Sequence, residues 1–196
     1  MDFMIDLETW STRPNAAIAS IGVTSVRVPG EDDWGSRLNY YQNVTRESCL
    51  ELGMHVDSTT EAWWDQQPNR AELEKNKWPL RDALVDLSAW LEAYEPNLKY
   101  RRVWSNGAGF DIPILENAYA LMGITCPWNF WNARCYRTMK SLHRDVPCRA
   151  GVVAHNALAD AQAQASHLQR ILIKHYPGYP NVDRSLWGRI KRAFTG

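Results

Sequence analysis

The chain has 196 residues, and its 22 lysines and arginines are balanced by 22 aspartates and glutamates. That length suits one domain with a sizeable core, and zero net charge advertises neither a nucleic-acid nor a membrane partner, so any polyanion must be held locally. No apolar run approaches the ~20 residues needed to span a bilayer. The four cysteines, Cys49, Cys126, Cys135 and Cys148, form no C-x-x-C pair, and no basic segment leads into an apolar run at the start, so a reduced, cytoplasmic protein without a structural zinc site is expected.

Residues 2–7 read as a strand, in which Asp6 and Glu8 share a face because side chains two apart point the same way. Thr9-Trp10-Ser11-Thr12 then ends the strand in a polar turn. Two acids side by side are costly to keep ionised unless a cation lies between them. A second strand is predicted over 17–28, ended by Pro29-Gly30, and a third over about 36–44. Three strands in succession without a helical period suggest an antiparallel meander.

From Thr45 the pattern turns helical. A short helix around Glu47–Leu52 precedes one over Glu61–Gln67, capped by a serine or threonine and closed by Pro68. Within it Trp63 and Trp64 cannot share a face, so one is expected in the core and the other on a base-stacking surface, with Trp64 taken as the stacking residue. Leu80, Leu84, Leu87 and Leu91 mark an amphipathic helix over 79–94.

A strand over 101–105 and a turn over 106–109 lead into a helix over 110–122 that carries Asp111 at its start. An acid there suits a site at a sheet edge, though taken alone it is better read as favouring a helix N-terminus. Residues 128–135 read as a strand or aromatic loop, 136–143 as a short helix, and 144–154 as a mobile loop. His155 then stands just outside a long alanine-rich helix capped by Asn156, stopped by Pro177 and carrying Asp160 in its first turns. Ala157 and Ala161 permit close packing on a sheet. A basic tail, Arg184–Arg192, could touch a phosphate backbone, but is expected to face solvent or a second copy. The remaining histidines, His55, His143, His167 and His175, show no ligand spacing and are expected at the surface or at caps.

The acids Asp6, Glu8, Asp111 and Asp160 with His155 make an oxygen-rich set that suits Mg²⁺ or Mn²⁺ rather than zinc. Two such ions stabilise the attacking and leaving oxygens of a phosphoryl displacement, and an imidazole beside them can take a proton from water. Asp6-x-Glu8, Asn106-x-x-x-Phe110-Asp111 and His155-x-Ala157-x-x-Asp160, in that order, resemble the three motifs of the DEDDh 3′–5′ exonucleases, which include RNase T, oligoribonuclease and proofreading subunits. The Trp63-Trp64 and Trp128–Thr138 stretches are similar to a bacterial and phage branch that is exodeoxyribonuclease VIII-like or exoribonuclease-like.

The resemblance implies an α/β RNase H-like fold with a mixed five-stranded sheet, its first three strands antiparallel and helices on both faces. An exonuclease domain over 1–180 is expected, with residues 181–196 as a tail packing on it. It also implies removal of nucleoside 5′-monophosphates from single-stranded DNA or RNA 3′ ends, in the cytoplasm of a bacterial or phage-infected cell, by a possible homodimer. Two divalent cations, Mg²⁺ or Mn²⁺, are bound by Asp6, Glu8, Asp111 and Asp160, with His155 as general base. Thr9, Trp10, Asn106, Phe110, Trp64 and Arg137 are the expected substrate contacts. A catalytically silent nucleic-acid-binding domain on the same fold is the alternative.

Overall fold

A computed structural model describes residues 1–26, 37–107, 109–148, 155–177 and 179. A six-stranded mixed sheet has the order β4-β3-β2-β1-β5-β6. Its first three strands, β1 (Asp2–Thr9), β2 (Ile18–Val26) and β3 (Asn39–Val44), form the expected antiparallel meander. The strands β4 (Lys77–Trp78), β5 (Arg102–Ser105) and β6 (Ala133–Cys135) each add in parallel. The sixth strand, beyond the five expected, is the two-residue β4, too short to carry a period that sequence reading detects.

The alternation of β1 divides the molecule into two layers. Phe3, Ile5 and Leu7 point to one face and join Leu80, Leu84, Leu87 and Leu91 of α3 (Leu80–Tyr94) with Ile114, Leu115 and Ala118 of α4 (Asp111–Leu121) in the main core. Burying each leucine contributes about 1.5–3 kcal/mol. Met4 points to the other face, against Trp104, Tyr136, and Ala161, Ala165, Leu168 and Leu172 of α6 (Ala157–His175). Tyr136 opens α5 (Tyr136–Leu142), which lies on the same side. Asp6 and Glu8 continue the Met4 face and therefore look toward α6.

Gly22 sets how near that helix comes. It pairs with Asp6 across the β1–β2 ladder, and a Cβ placed on it would lie 2.2 Å from the carbonyl carbon of Ala157 and 2.3 Å from the Leu158 nitrogen. The first turn of α6 thus rests on bare backbone beside Asp6. Asn156 begins that turn as expected, its side chain accepting from the Ala159 N–H at 3.0 Å. The buried Ala161 and Ala165 keep the following turns close to the sheet.

Two helices precede α3: α1 (Arg46–Leu50) and α2 (Ser58–Trp64). The cap of α2 is Asp57, whose carboxylate accepts from Thr59 N–H at 2.8 Å, so the helix starts three residues earlier than the serine or threonine cap implied. The stretch 128–135 resolves into a 3₁₀ turn over Phe130–Asn132 followed by β6. The Pro29-Gly30 turn, residues 149–154 of the expected mobile loop and the basic tail Arg184–Arg192 lie outside the described residues. No helix among the described residues is long and apolar enough to cross a membrane.

Gly22→Ala should lower stability by about 1–3 kcal/mol, because the atoms it meets are backbone and cannot rotate away. Urea unfolding measures this, and an unchanged midpoint would contradict the contact.

Candidate active site

The far end of β1, the first turn of α6 and the start of α4 meet at one place. Asp6, Glu8 and Asp160 each offer a carboxylate oxygen there, and these oxygens all lie within 4.8 Å of one another. Asp6 and Glu8 are fixed by the strand, with a register irregularity against β2 falling between Glu8 and Thr9. Asp160 is fixed by its helix, its N–H bonded to Asn156 O at 2.9 Å.

Asp111 stands behind this trio rather than in it. The β1–β5 ladder ends at Met4 and Trp104, and the Leu7 N–H donates instead to Asp111 Oδ1 at 3.1 Å. That bond seats the start of α4 against the edge of β1.

The acids pay no attention to their ordinary titration range. Burial raises the Asp6 pKa well above it, and the charges of Asp111 and Glu8 add to the rise. Burial, then Asp160 and Asp111, push Glu8 to about 8. Burial pushes Asp111 to about 6 against the opposing Leu7 hydrogen bond, and burial also raises Asp160. An all-oxygen donor set under this much like-charge repulsion fits hard divalent cations, which take carboxylates readily and relieve the crowding.

Gln164 was not signalled by sequence. One turn after Asp160, it donates Nε2 to Asp6 Oδ1 at 2.7 Å, while its own Oε1 is buried without a partner among the described residues. The only sequence signal is the i+4 spacing from Asp160, which places both on one helix face.

His155 lies beside the acids, as expected, in the left-handed backbone region with φ 59°. The Asn69 side-chain amide donates to its carbonyl oxygen, and its N–H, with that of Asn156, favours the ionised form of Asp160. Its imidazole rests edge-to-face on Trp63, with centroids 4.8 Å apart. A non-glycine residue held at positive φ carries strain of the sort that clusters at functional sites.

A cleft of about 390 Å³ opens next to Glu8, lined by Thr9, Thr59, Trp63, Trp64 and Phe110. Here the choice between the paired tryptophans is corrected. Trp64 is 1 % exposed and donates its indole N–H to Thr9 O at 3.0 Å, so it is a core residue that backs the cleft. Trp63 is 40 % exposed and presents the open ring. Trp10 is likewise corrected from surface to core: it is 4 % exposed, set against Trp64 and beneath the Arg70 guanidinium. The turn after Thr9 folds the indole inward because Trp10 N–H bonds to Ala17 O.

Phe110 also lines a second trough of about 570 Å³ with Gly107, Cys135, Arg137, Thr138 and Ser141. Arg137 donates Nη2 to the Asn106 carbonyl at 2.7 Å and its charge favours the ionised form of Asp111. Asn106 is thus engaged through its backbone carbonyl. His167, expected at the surface, is buried between Tyr136 and Val146, with Nδ1 2.7 Å from the tyrosine oxygen and Nε2 2.8 Å from the carbonyl oxygen.

Three solved structures share the fold. The nuclease domain of 3′hExo, a DEDDh family member bound to rAMP, has a TM-score of 0.60 at 14 % identity, over 90 % of this chain and 93 % of that one. Cell-death related nuclease 4 has 0.54 at 12 %, over 90 % and 64 %. A full-length 3′-exonuclease has 0.56 at 12 %, over 88 % and 81 %. No curated protein is similar enough in sequence to count as a relative.

An RNase H-like sheet bearing this acid set and an adjacent histidine defines a DEDDh-type 3′–5′ exonuclease. The chain belongs to the 3′-5′ exoribonuclease Rv2179c-like domain family, whose model matches residues 1–172.

The raised pKa values set a sign. An acid whose pKa is higher folded than unfolded contributes stability below its unfolded value and loses it as pH rises through the folded one. For Glu8 that window runs from 4.5 to about 8. Metal-free protein should therefore lose thermal stability from pH 5 to pH 8, and Asp6→Asn should raise the pH 8 midpoint by about 2–4 °C for each 1 kcal/mol of repulsion removed. Thermal unfolding in EDTA at the two pH values decides this, and a midpoint lowered by Asp6→Asn at pH 8 would refute it.

Proposed function

We propose that this exonuclease removes nucleoside 5′-monophosphates one at a time from the 3′ end of single-stranded RNA. The observation that carries the reading is the convergence of Asp6, Glu8 and Asp160 within 4.8 Å beside a cleft walled by Trp63 and Phe110. RNA is favoured over DNA because the matching family is described by exoribonuclease activity and a structural relative holds rAMP.

Asp6, Glu8 and Asp160, with Asp111 beside them, would hold two divalent cations, Mg²⁺ or Mn²⁺, which supply charge stabilisation to the attacking and leaving oxygens of the displaced phosphoryl group. The protein's own groups do the rest. The exposed ring of Trp63 and the side chain of Phe110 take the terminal bases by stacking, which tolerates every base. Thr9 lies against the terminal sugar at the cleft floor. Arg137, across Phe110, faces the phosphates behind the terminal nucleotide.

His155 accepts the proton of the attacking water at its imidazole. Its backbone is tied to Asp160, so the ring stays at the rim of the acid cluster. Gln164 holds the Asp6 carboxylate in one orientation, which preserves the spacing of the set.

Parallel assays on matched 3′-labelled RNA and DNA oligonucleotides with Mg²⁺ or Mn²⁺ test the reading. Labelled mononucleotide should appear faster from RNA, and faster release from DNA would reverse the substrate assignment. His155→Ala should lower kcat by about 10²–10⁴-fold while Mn²⁺ affinity is retained; loss of Mn²⁺ binding would contradict its role as base. Trp63→Ala should weaken oligonucleotide binding about 5- to 150-fold, the equivalent of about 1–3 kcal/mol of stacking, whereas an unchanged KM would remove Trp63 from the substrate path.

A further inference from the structure

On the α6 side of the sheet, away from the acid cluster, the fold gathers three side chains that the exonuclease reaction does not use. His143 follows the end of α5, Asp145 lies two residues on in the next turn, and His175 is the last residue of α6. Each offers one ligand atom, and these atoms all lie within 4.8 Å of one another. The two imidazoles are stacked, centroids 4.3 Å apart and planes 28° from parallel. His175 Nε2 is 2.9 Å from Asp145 Oδ2, and His143 Nε2 is 3.0 Å from the Tyr176 hydroxyl. Spacing along the chain gives no hint of this grouping, because His143 and His175 come together only when α5 and α6 end side by side.

The geometry points to a second metal site in this protein, formed by His143, Asp145 and His175 and suited to zinc. Two imidazoles and one carboxylate suit zinc and its neighbours in the first transition row, whereas the oxygen-only acid cluster suits harder ions. Zinc at about 2.0–2.1 Å from nitrogen and oxygen sets its ligand atoms roughly 3.3 Å apart, so rotation of these partly exposed side chains closes the set without moving either helix. Tyr176 orients the His143 ring, the kind of outer partner that metal-binding histidines commonly have.

A resident cation competes for the site. Lys174 Nζ lies 2.8 Å from Asp145 Oδ2, so the metal must displace the ammonium. With three protein ligands, the fourth position is left for water. Bound zinc would cross-link the ends of α5 and α6.

The test uses the full chain, stripped with EDTA, carrying Asp6→Asn and Asp160→Asn so that the acid cluster cannot hold metal. Calorimetric titration with Zn²⁺ alone should show one equivalent bound, and Co²⁺ should give the visible absorption of a low-coordinate imidazole site. His143→Ala and His175→Ala in that background should each weaken zinc at least tenfold, with thermal unfolding confirming that the variants fold. Lys174→Ala should tighten it several-fold, a gain that a folding defect cannot mimic. Zinc binding that is equal in the histidine variants, or absent from the parent, overturns the site; zinc binding unchanged in Asp145→Asn removes Asp145 from it and overturns the three-ligand assignment.

Discussion

The repulsion among Asp6, Glu8, Asp160 and Asp111 is the constraint on which the rest of the structure depends. Left alone, such a group would spread apart or take up protons. Three rigid elements instead anchor the four carboxylates. The β1–β2 ladder holds Asp6 and Glu8, the capped first turn of α6 holds Asp160, and the Leu7 N–H holds Asp111. The hydrophobic layers on either side of the sheet supply the stability that keeps these anchors in place. The reactive arrangement is thus a local cost carried by a well-packed scaffold, the usual relation between active-site strain and the remainder of a protein.

Bringing a helix-borne acid to a strand-borne acid requires the helix to lie unusually near the sheet, and Gly22 is where this happens. Its neighbours in the helix are the backbone of Ala157 and Leu158, so the distance between Asp160 and Asp6 follows from a missing side chain on β2. Small residues continue the theme along α6, where Ala161 and Ala165 are fully buried. Farther along, the same helix packs through Leu168 and Leu172. Sheet contact therefore begins with backbone at the reactive end and becomes side-chain packing toward the other.

Much of this was legible in the sequence because it rests on short periods. The two-residue spacing of Asp6 and Glu8, the leucine pattern of α3, and Asn156 before the alanine-rich stretch each announce a local conformation, and each appears where expected. What was not legible depends on partners distant in the chain. The glycine at position 22 has no signal until Ala157 lies over it. Trp63 and Trp64 are adjacent and chemically identical, and only the inward turn after Thr9 decides which is buried. Asp111 reads as an N-terminal helix acid until Leu7 offers it a hydrogen bond. Gln164 gains its significance from Asp6, 158 residues away, and His143 from His175 across two helix ends.

One strand shows how little a carboxylate's identity says about its task. Asp2, like Asp6 and Glu8, lies on β1 with its side chain on the α6 face. It is enclosed by Arg102, the Trp104 indole N–H and the Tyr179 hydroxyl, whereas the other two face mainly acids. The strand consequently has two histories open to it. Descendants that discard the reaction can change its reactive end and be relieved of repulsion, but its opening residue remains bound to the fold by three donors. A silent relative of this enzyme would inherit Asp2 and be free to lose Asp6.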